Sequence, residues 1–372
     1  MTLQISLKFS PNSLVESGSY RLVELPVDLC NVIEPALNAS DPLHLCIKGQ
    51  RDEDAVLCTQ DKTYSLRSVV LSNTILIVTP SPDDESTSVD IRDQVTNILE
   101  LAPCVPKLQK LDSLLKGRVY DEGCIDVDDQ VVGNKVTYDD ARSSVQASDS
   151  ELALALENRR ILMINGELRP IAPSYLHHIL ELLLNLLVSL SLSHDAVSIN
   201  ELGLTLAEQH DVPQAVTTQV MAWFGTIDGD KCRLDLTAIV REIGLDILRN
   251  HRHEPVDQDT LLAKWRSGVG DSYESRLSLE LLLGNYVTLH PSISSAAPVM
   301  KYFPASELPI EPQTRFADLF LARSRWTHEE ITPFLTDIAV DTKERDKLIL
   351  KYCRAITEEG TTWYMARTQY NG

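Results

Sequence analysis

Residues 341–367 read DTKERDKLILKYCRAITEEGTTWYMAR, and their reading decides the fold. Asp341 and Glu344 stand at capping spacing, which predicts a helix over 341–356. Along it Lys343, Lys347, Lys351 and Arg354 recur at i, i+4, i+8 and i+11, so one face carries four positive charges. Leu348, Ile349, Tyr352, Cys353 and Ile356 lie largely on other faces and can pack inward. Glu358-Glu359-Gly360 predicts a turn, and TTWYMAR an aromatic strand. A basic helix followed by a β wing can lie in a DNA groove or along phosphates, with Arg367 added from the wing. No base-reading Asn, Gln or Arg pattern opens this helix, so backbone contact without sequence preference is the expected mode. The same charges also suit a solvated helix end, where cations complement the dipole, and Glu344 and Asp346 dilute the stripe.

Upstream, the same order of elements recurs twice. Periodicity predicts helices over 174–191, 198–210 and 213–224, with Pro213 at a first turn, then the strand GDKCRLDL. Helices over 236–250, 257–267 and 274–283 follow, with Gly284 as a stop and YVTLH and APVMKYF as strands. The last unit opens with helices over 313–323 and 327–339, the second bearing Thr327 and Glu330 as a capping box. Helix, helix, helix and wing, three times over, predicts tandem winged-helix domains at 148–235, 236–311 and 312–372. The repetition is one of element order and not of residues, and helical bundles with incidental strands share that outline. A helix over 150–160 and a hairpin around Asn165-Gly166 precede the first unit.

The first 80 residues read as β. LQISLKF, YRLVEL, PLHLCIKG, DAVLCTQ, KTYSLRSV and NTILIVTP are short apolar runs separated by turn chemistry. NTILIV reads as a central strand. Six strands in so short a segment predict a small barrel or half-barrel over 1–90, whose open edge needs a partner. The fold class is therefore α+β. TPSPDDESTSVD (79–90) reads as a loop, 106–116 as a helix, and roughly 120–147 as an acidic linker, so 91–147 is taken as helix plus linker.

The formal charge of the 372 residues is -20. Residues 1–145 carry 13 Lys+Arg against 23 Asp+Glu, and residues 146–311 carry 12 against 22. Residues 312–372 balance at 9 against 9, the one segment without an acidic excess. An acidic body argues against a general nucleic-acid coat and leaves room for a local contact at the C-terminus. The seven cysteines are irregularly spaced with no CxxC, as expected of reduced thiols in the cytosol or nucleus. The most apolar run, 179–192, is too short and too polar to span a membrane, and the first residues lack the pattern of a secretory signal.

Enzyme signatures are missing. There is no GxxxxGK[ST] phosphate loop, no HExxH and no GxSxG. Gly268 and Gly270 lie in SGVGDS, but Tyr273 follows them where a third glycine would stand, so a dinucleotide site is not expected. His177-His178 and the His251–His253 pair lack companions at metal-ligand spacing and read as helix-surface or core histidines. No cofactor and no metal is expected.

Two stretches carry a resemblance. EDAVLCTQDKTYSLRSVVLSNTILIV (53–78) and RFADLFLARSRWTHEEITPFL (315–335) resemble the sister chromatid cohesion protein family, with PKLQKLDSLL (106–115) as a third match. This is the family named for defective sister chromatid cohesion, a subunit of an alternative replication factor C clamp loader. The resemblance implies a non-catalytic accessory subunit acting in DNA replication and cohesion in the nucleus, with the ATPase chemistry in other subunits. It implies an N-terminal β region shared with the C-terminal tail of the loader's large ATPase subunit and with a very small companion subunit. Val56, Cys58, Tyr64, Leu66, Ile75 and Ile77, the apolar positions of the first stretch, would make that partner contact. The winged helices would meet the catalytic subunit of DNA polymerase epsilon and single- and double-stranded DNA, through Lys343, Lys347, Lys351, Arg354 and Arg367. Neither a membrane nor a second copy of the chain is expected as a partner. A winged-helix scaffold of an unrelated complex is the alternative that acidity and docking-type helices would also fit.

Overall fold

A computed structural model describes residues 6–9, 20–37, 43–80, 88–124, 135–289 and 298–367. It is a mixed α+β chain with several small sheets and many helices. The chain divides into two compact units, Met1–Leu108 with Arg142–Leu152, and Gln109–Ala141 with Ala153–Gly372.

The first unit is built on a six-stranded sheet. Its spine is an antiparallel ribbon of two long strands, Thr63–Pro80 and Ser88–Pro103. Ser6–Phe9 and Leu22–Glu24 both pair in parallel with the second of these. On the other side Val56–Cys58 and then Cys46–Lys48 add antiparallel strands. The order is an open path, so the described strands form no closed barrel. KTYSLRSV and NTILIVTP are thus one strand and not two, joined through a register irregularity between Val70 and Ile75. Residues 79–80 and 88–90, read as loop, belong to strands, while 81–87 lie outside the described residues. Cross-strand pairing overrides the polar character of Arg92, Asp93, Gln94, Thr96 and Asn97, which alone would not mark a strand.

A small core lies at the short-strand end of this sheet. Leu29, on the helix Val27–Ala36, packs with Leu57, Tyr64 and Leu101, flanked by Ile33 and Leu66. The Tyr64 hydroxyl donates to Asp28 Oδ2 at 3.0 Å, and Lys62 Nζ reaches the same oxygen at 3.1 Å. Residues 142–147, assigned from the sequence to the acidic linker, are ordered and partly core. Lys48 Nζ donates to the Ala147 carbonyl at 2.7 Å, and Gln146 Nε2 to the carbonyl of Asp54 at 2.7 Å. Val145 and Ala147 are fully buried. Burying the amide of Gln146 is tolerable because the carbonyls of Asp54 and Lys48 accept from its Nε2.

The second unit repeats one topology three times. A helix leads to a two-residue strand, then helical segments, then a hairpin whose second strand pairs with the two-residue strand. The first repeat uses the helix Pro173–Ser189, the strand Val197–Ser198, the helices Ile199–His210 and Gln214–Trp223, and the strands Gly225–Asp228 and Lys231–Leu234. Its leading helix buries eight residues and starts at Pro173, whose missing N–H is no loss in a first turn. Ser198 caps the next helix by accepting from Glu201 N at 3.1 Å.

The second repeat runs from the helix Leu236–Asn250 through Val256–Asp257 and Gln258–Val269 to the strands Tyr286–Leu289 and Val299–Tyr302. Gly244 faces Trp265 so closely that a Cβ there would sit 2.3 Å from the indole ring. The helix expected over 274–283 is instead two 3-10 segments, Asp271–Arg276 and Leu279–Leu282. Gly270 at φ 78° and the cap that Ser278 supplies to Glu280 N break the regular turn.

The third repeat comprises the helix Pro312–Ala322, the strand Arg325–Trp326, the short helix His328–Ile331, the helix Thr342–Tyr352 and the strands Cys353–Glu358 and Thr361–Ala366. The helix expected over 327–339 keeps its capping box but passes into a 3-10 turn, Thr332–Phe334, because Pro333 cannot donate to the ladder. Phe316, Trp326, Phe334, Ile349 and Cys353 form its core. A single cluster that includes Leu180, Leu183, Val220, Ile243, Leu261 and Trp265 fills the first two repeats. The hairpin Ile161–Ile164 with Glu167–Pro170 turns on Asn165 and Gly166, both at positive φ, as a type I′ turn demands. Tyr120 N donates to the Pro170 carbonyl at 2.7 Å, and Leu168 N to Val136 at 2.8 Å. Residues 120 and 136 are therefore structural as well, while 125–134 lie outside the described residues.

Candidate functional site

The helix Thr342–Tyr352 begins where Asp341 accepts from Glu344 N at 2.7 Å, and Glu344 Oε2 in turn accepts from Val340 N at 2.7 Å. Ile349 turns inward, and Phe316 stacks on Tyr352 with ring centroids 4.9 Å apart. Lys343, Lys347 and Lys351 are left exposed on the outward face around Leu350, itself 69% exposed. Lys351 also lies over the Tyr352 ring at 5.0 Å and helps hold Glu311 below the usual carboxylate range, behind the larger effect of the Thr314 hydroxyl.

Arg354 is not on this helix. The helix stops at Tyr352, Cys353 is extended and buried, and Arg354 stands in the first strand of the hairpin that follows. The pairing of Cys353–Glu358 with Thr361–Ala366 outweighs the last helical turn that periodicity alone favoured. Glu359 and Gly360, both at positive φ, close the hairpin. Three residues then share one row across the sheet: Arg325, Met365 and Arg354. Side chains directly opposite project from one face. Cys353, Trp326 and Tyr364 occupy the core face, so Arg325 and Arg354 stand on the outer one, with Trp363 two positions from Met365. The Arg325 guanidinium lies 4.7 Å from the Trp363 ring centroid and 3.2 Å from Glu358. Arg367 is exposed just past the second strand, its N–H donating to the Tyr352 carbonyl at 3.0 Å.

A basic helix face and an outer sheet face bearing two arginines and an indole suit phosphate contact and base stacking. Sequence reading missed Arg325 and Trp363. The one local signal was the pairing of Arg325-Trp326 with the capping box that follows, and the strand it forms is two residues long and visible only through its partner.

The corresponding helix of the first repeat, Gln214–Trp223, carries no basic residue. Gln219 accepts from Met163 N at 2.8 Å and donates to Met163 O at 3.1 Å, so the hairpin Ile161–Pro170 edge already docks on it. Without a charged side chain, it offers phosphates no ion pair.

The residues expected to meet a partner separate into two groups. Val56, Cys58 and Tyr64 are 2 to 3% exposed inside the first unit's own packing, and Leu66 is half-buried beside them. Ile75 and Ile77 lie on the far half of the long ribbon, with Ile75 39% exposed. Around that half, Leu7, Phe9, Val70, Leu76 and Val78 are also exposed. Among the described residues, this half of the ribbon leaves apolar side chains exposed on a sheet with open edges.

Two clefts open in the second unit. One of about 490 Å3 is lined by Trp223, Arg233, Asp235 and Arg276, and one of about 260 Å3 by His177, Glu181, His251 and Lys264. In the second, Lys264 Nζ lies 2.8 Å from His251 Nε2, and burial together with Lys264 keeps that imidazole's affinity for a proton low. Among the described residues no group of three or more His, Cys, Asp or Glu is placed to hold a metal. No described helix is long and apolar enough to cross a membrane.

Comparison with known proteins identifies the lineage. A family model described as sister chromatid cohesion protein Dcc1 matches residues 20–335. The chain belongs to the Dcc1 family. It is 28% identical to sister chromatid cohesion protein DCC1 of Mus musculus, over 94% of this chain and 88% of that protein. The DCC1 of Homo sapiens is 27% identical over 97% and 92%, and that of Saccharomyces cerevisiae 21% identical over 90% and 93%. These Dcc1 relatives are named for cohesion and not for an enzymatic reaction. The Dcc1 match includes the 53–78 and 315–335 stretches and ends before the helix Thr342–Tyr352 and the hairpin after it.

Proposed function

We propose that this Dcc1 family member is a non-catalytic accessory subunit of an alternative replication factor C clamp loader. In that role it acts in the nucleus, in DNA replication and sister chromatid cohesion. The observation that carries the reading is the open N-terminal sheet. Its far ribbon presents Phe9, Val70, Ile75, Leu76 and Val78 to solvent, a surface that a monomer gains nothing by exposing. Strands from the large ATPase subunit's C-terminal tail and from a very small companion would cover it by β-augmentation and bury those side chains. Residues 1–90 supply most of this partner region.

The three repeats are proposed to be winged-helix domains, at 148–235, 236–311 and 312–372. Each has a hairpin whose second strand is central in a three-stranded sheet, as a wing requires. The third has an uncovered helix with Lys343, Lys347 and Lys351, and a wing with Arg325, Arg354 and Arg367. It is the element suited to single- and double-stranded DNA without sequence preference, and the polymerase epsilon catalytic subunit docks on the same array. A contact this thin suffices when partners tether the chain and raise its effective concentration.

The test is a pull-down from nuclear extract with the full chain and with Val70→Asp/Ile75→Asp, read by mass spectrometry. Both positions are exposed, so the variant keeps its fold. Recovery of replication factor C subunits and a small companion by the parent chain, and their loss with the variant, is the expected result. Equal recovery by both, or recovery of an unrelated complex, overturns the reading.

A further inference from the structure

Four positions align across the sheet of the first unit. Cys46 is the register partner of Cys58, and Cys58 that of Thr63. Cys104 donates its N–H to the Thr63 carbonyl at 3.0 Å, one step beyond the Tyr64–Pro103 pair. The row therefore reads Cys46, Cys58, Thr63, Cys104. Thr63 separates Cys58 from Cys104, its hydroxyl 3.7 Å from Cys58 Sγ. That hydroxyl is engaged elsewhere too, accepting from Ser148 N at 3.0 Å. The thiol set directly across from Cys58 is that of Cys46.

Residues directly opposite in an antiparallel pair hold their Cβ atoms about 4.5–5.5 Å apart on one face. A disulfide takes Cα separations of about 4.4–6.8 Å and Cβ separations of about 3.5–4.5 Å. The opposed pair thus meets the backbone requirement and needs only a small closing movement. The two cysteines also differ in access. Cys46 is exposed on the edge strand, while Cys58 is 3% exposed. Burial pushes the Cys58 thiol up, which keeps it protonated and slow toward oxidants.

We propose that Cys46 and Cys58 are a peroxide-responsive pair, closing into a cross-strand disulfide that locks the edge strand onto the sheet. A hydroperoxide oxidises the Cys46 thiolate to the sulfenic acid and is itself reduced by two electrons to water or an alcohol. The Cys58 thiol, giving up its proton as it reacts, then attacks Cys46 Sγ. The S–S bond forms, the Cys46 S–O bond breaks, and the departing hydroxide leaves as water with the Cys58 proton. The bond closes a ring around the 49–55 loop. It also holds Lys48, which reaches the Ala147 carbonyl, and Ile47, which is 66% exposed on the same strand.

The test treats the full-length reduced chain with hydrogen peroxide, alkylates the remaining thiols and maps tryptic peptides without reduction. Two of the seven thiols should be lost with no dimer formed, and peptide 22–48 should be found joined to 52–62. Cys104→Ser and Cys30→Ser should leave that product unchanged. Cys46→Ser, at an exposed position, should abolish it while the chain stays folded. Joining of Cys46 to Cys30, to Cys104 or to a second chain, or oxidation of Cys46 to the sulfinic acid with Cys58 untouched, overturns the proposal.

Discussion

His177 shows how one side chain can tie two repeats of the second unit together. Its Nδ1 lies 2.9 Å from Asp246 Oδ2 and its Nε2 3.2 Å from Glu181 Oε1. Arg249 binds the other oxygen of Asp246 at 3.1 Å. The bond to Asp246 is the main reason the imidazole holds its proton above the ordinary histidine range, with Glu181 adding to it and burial opposing. The link joins the helices Pro173–Ser189 and Leu236–Asn250. A folded-state pKa raised above the unfolded value means the stabilisation is complete below about pH 6.5 and is lost as pH rises through the folded value. Urea midpoints from pH 5.5 to 8.5 should therefore fall for the parent chain relative to His177→Gln. Parallel pH profiles for the two would show that the charged imidazole contributes nothing to stability.

At the scale of elements, the wing of the third repeat is the test of the proposed DNA contact. Lys347, Lys351, Arg325 and Arg354 are exposed, so replacing them with Ala leaves the core of Phe316, Trp326 and Ile349 intact. Each phosphate that a variant no longer neutralises should flatten the log–log salt dependence of duplex binding by about 0.9. Fluorescence anisotropy across a salt series gives that slope for single and combined variants. A slope that does not move would remove these side chains from the interface. Elements differed in how far the sequence exposed them. The helices expected over 198–210, 236–250 and 257–267 are present, and Ser198, Asp235 and Asp257 accept from their first free N–H groups. The Asn165-Gly166 turn was legible as well. The strand Ser88–Pro103 was not, since its pattern is polar and its stability comes from a partner strand. Arg354 was misassigned because 341–356 satisfies helical period throughout, and only the facing strand Thr361–Ala366 shows where the helix yields.

For the whole molecule, charge and exposed apolar surface divide the work. Under the proposed function, an acidic chain with one charge-balanced end would bind DNA weakly alone and better when tethered. Family membership was legible in the 53–78 and 315–335 stretches. Val56, Cys58 and Tyr64 look like an apolar edge in sequence, but the helix Val27–Ala36 and residues 142–152 cover that end of the sheet. The exposed apolar side chains Val70, Ile75, Leu76 and Val78 lie at the opposite end of the long ribbon. Hydrogen exchange of the full chain, free and co-purified with the large ATPase subunit's C-terminal tail and the small companion, tests this most directly. The account predicts protection at 6–9, 63–80 and 88–103, strongest around Val70 to Val78. Protection confined to the three repeats, with the long ribbon exchanging as in the free chain, would contradict it.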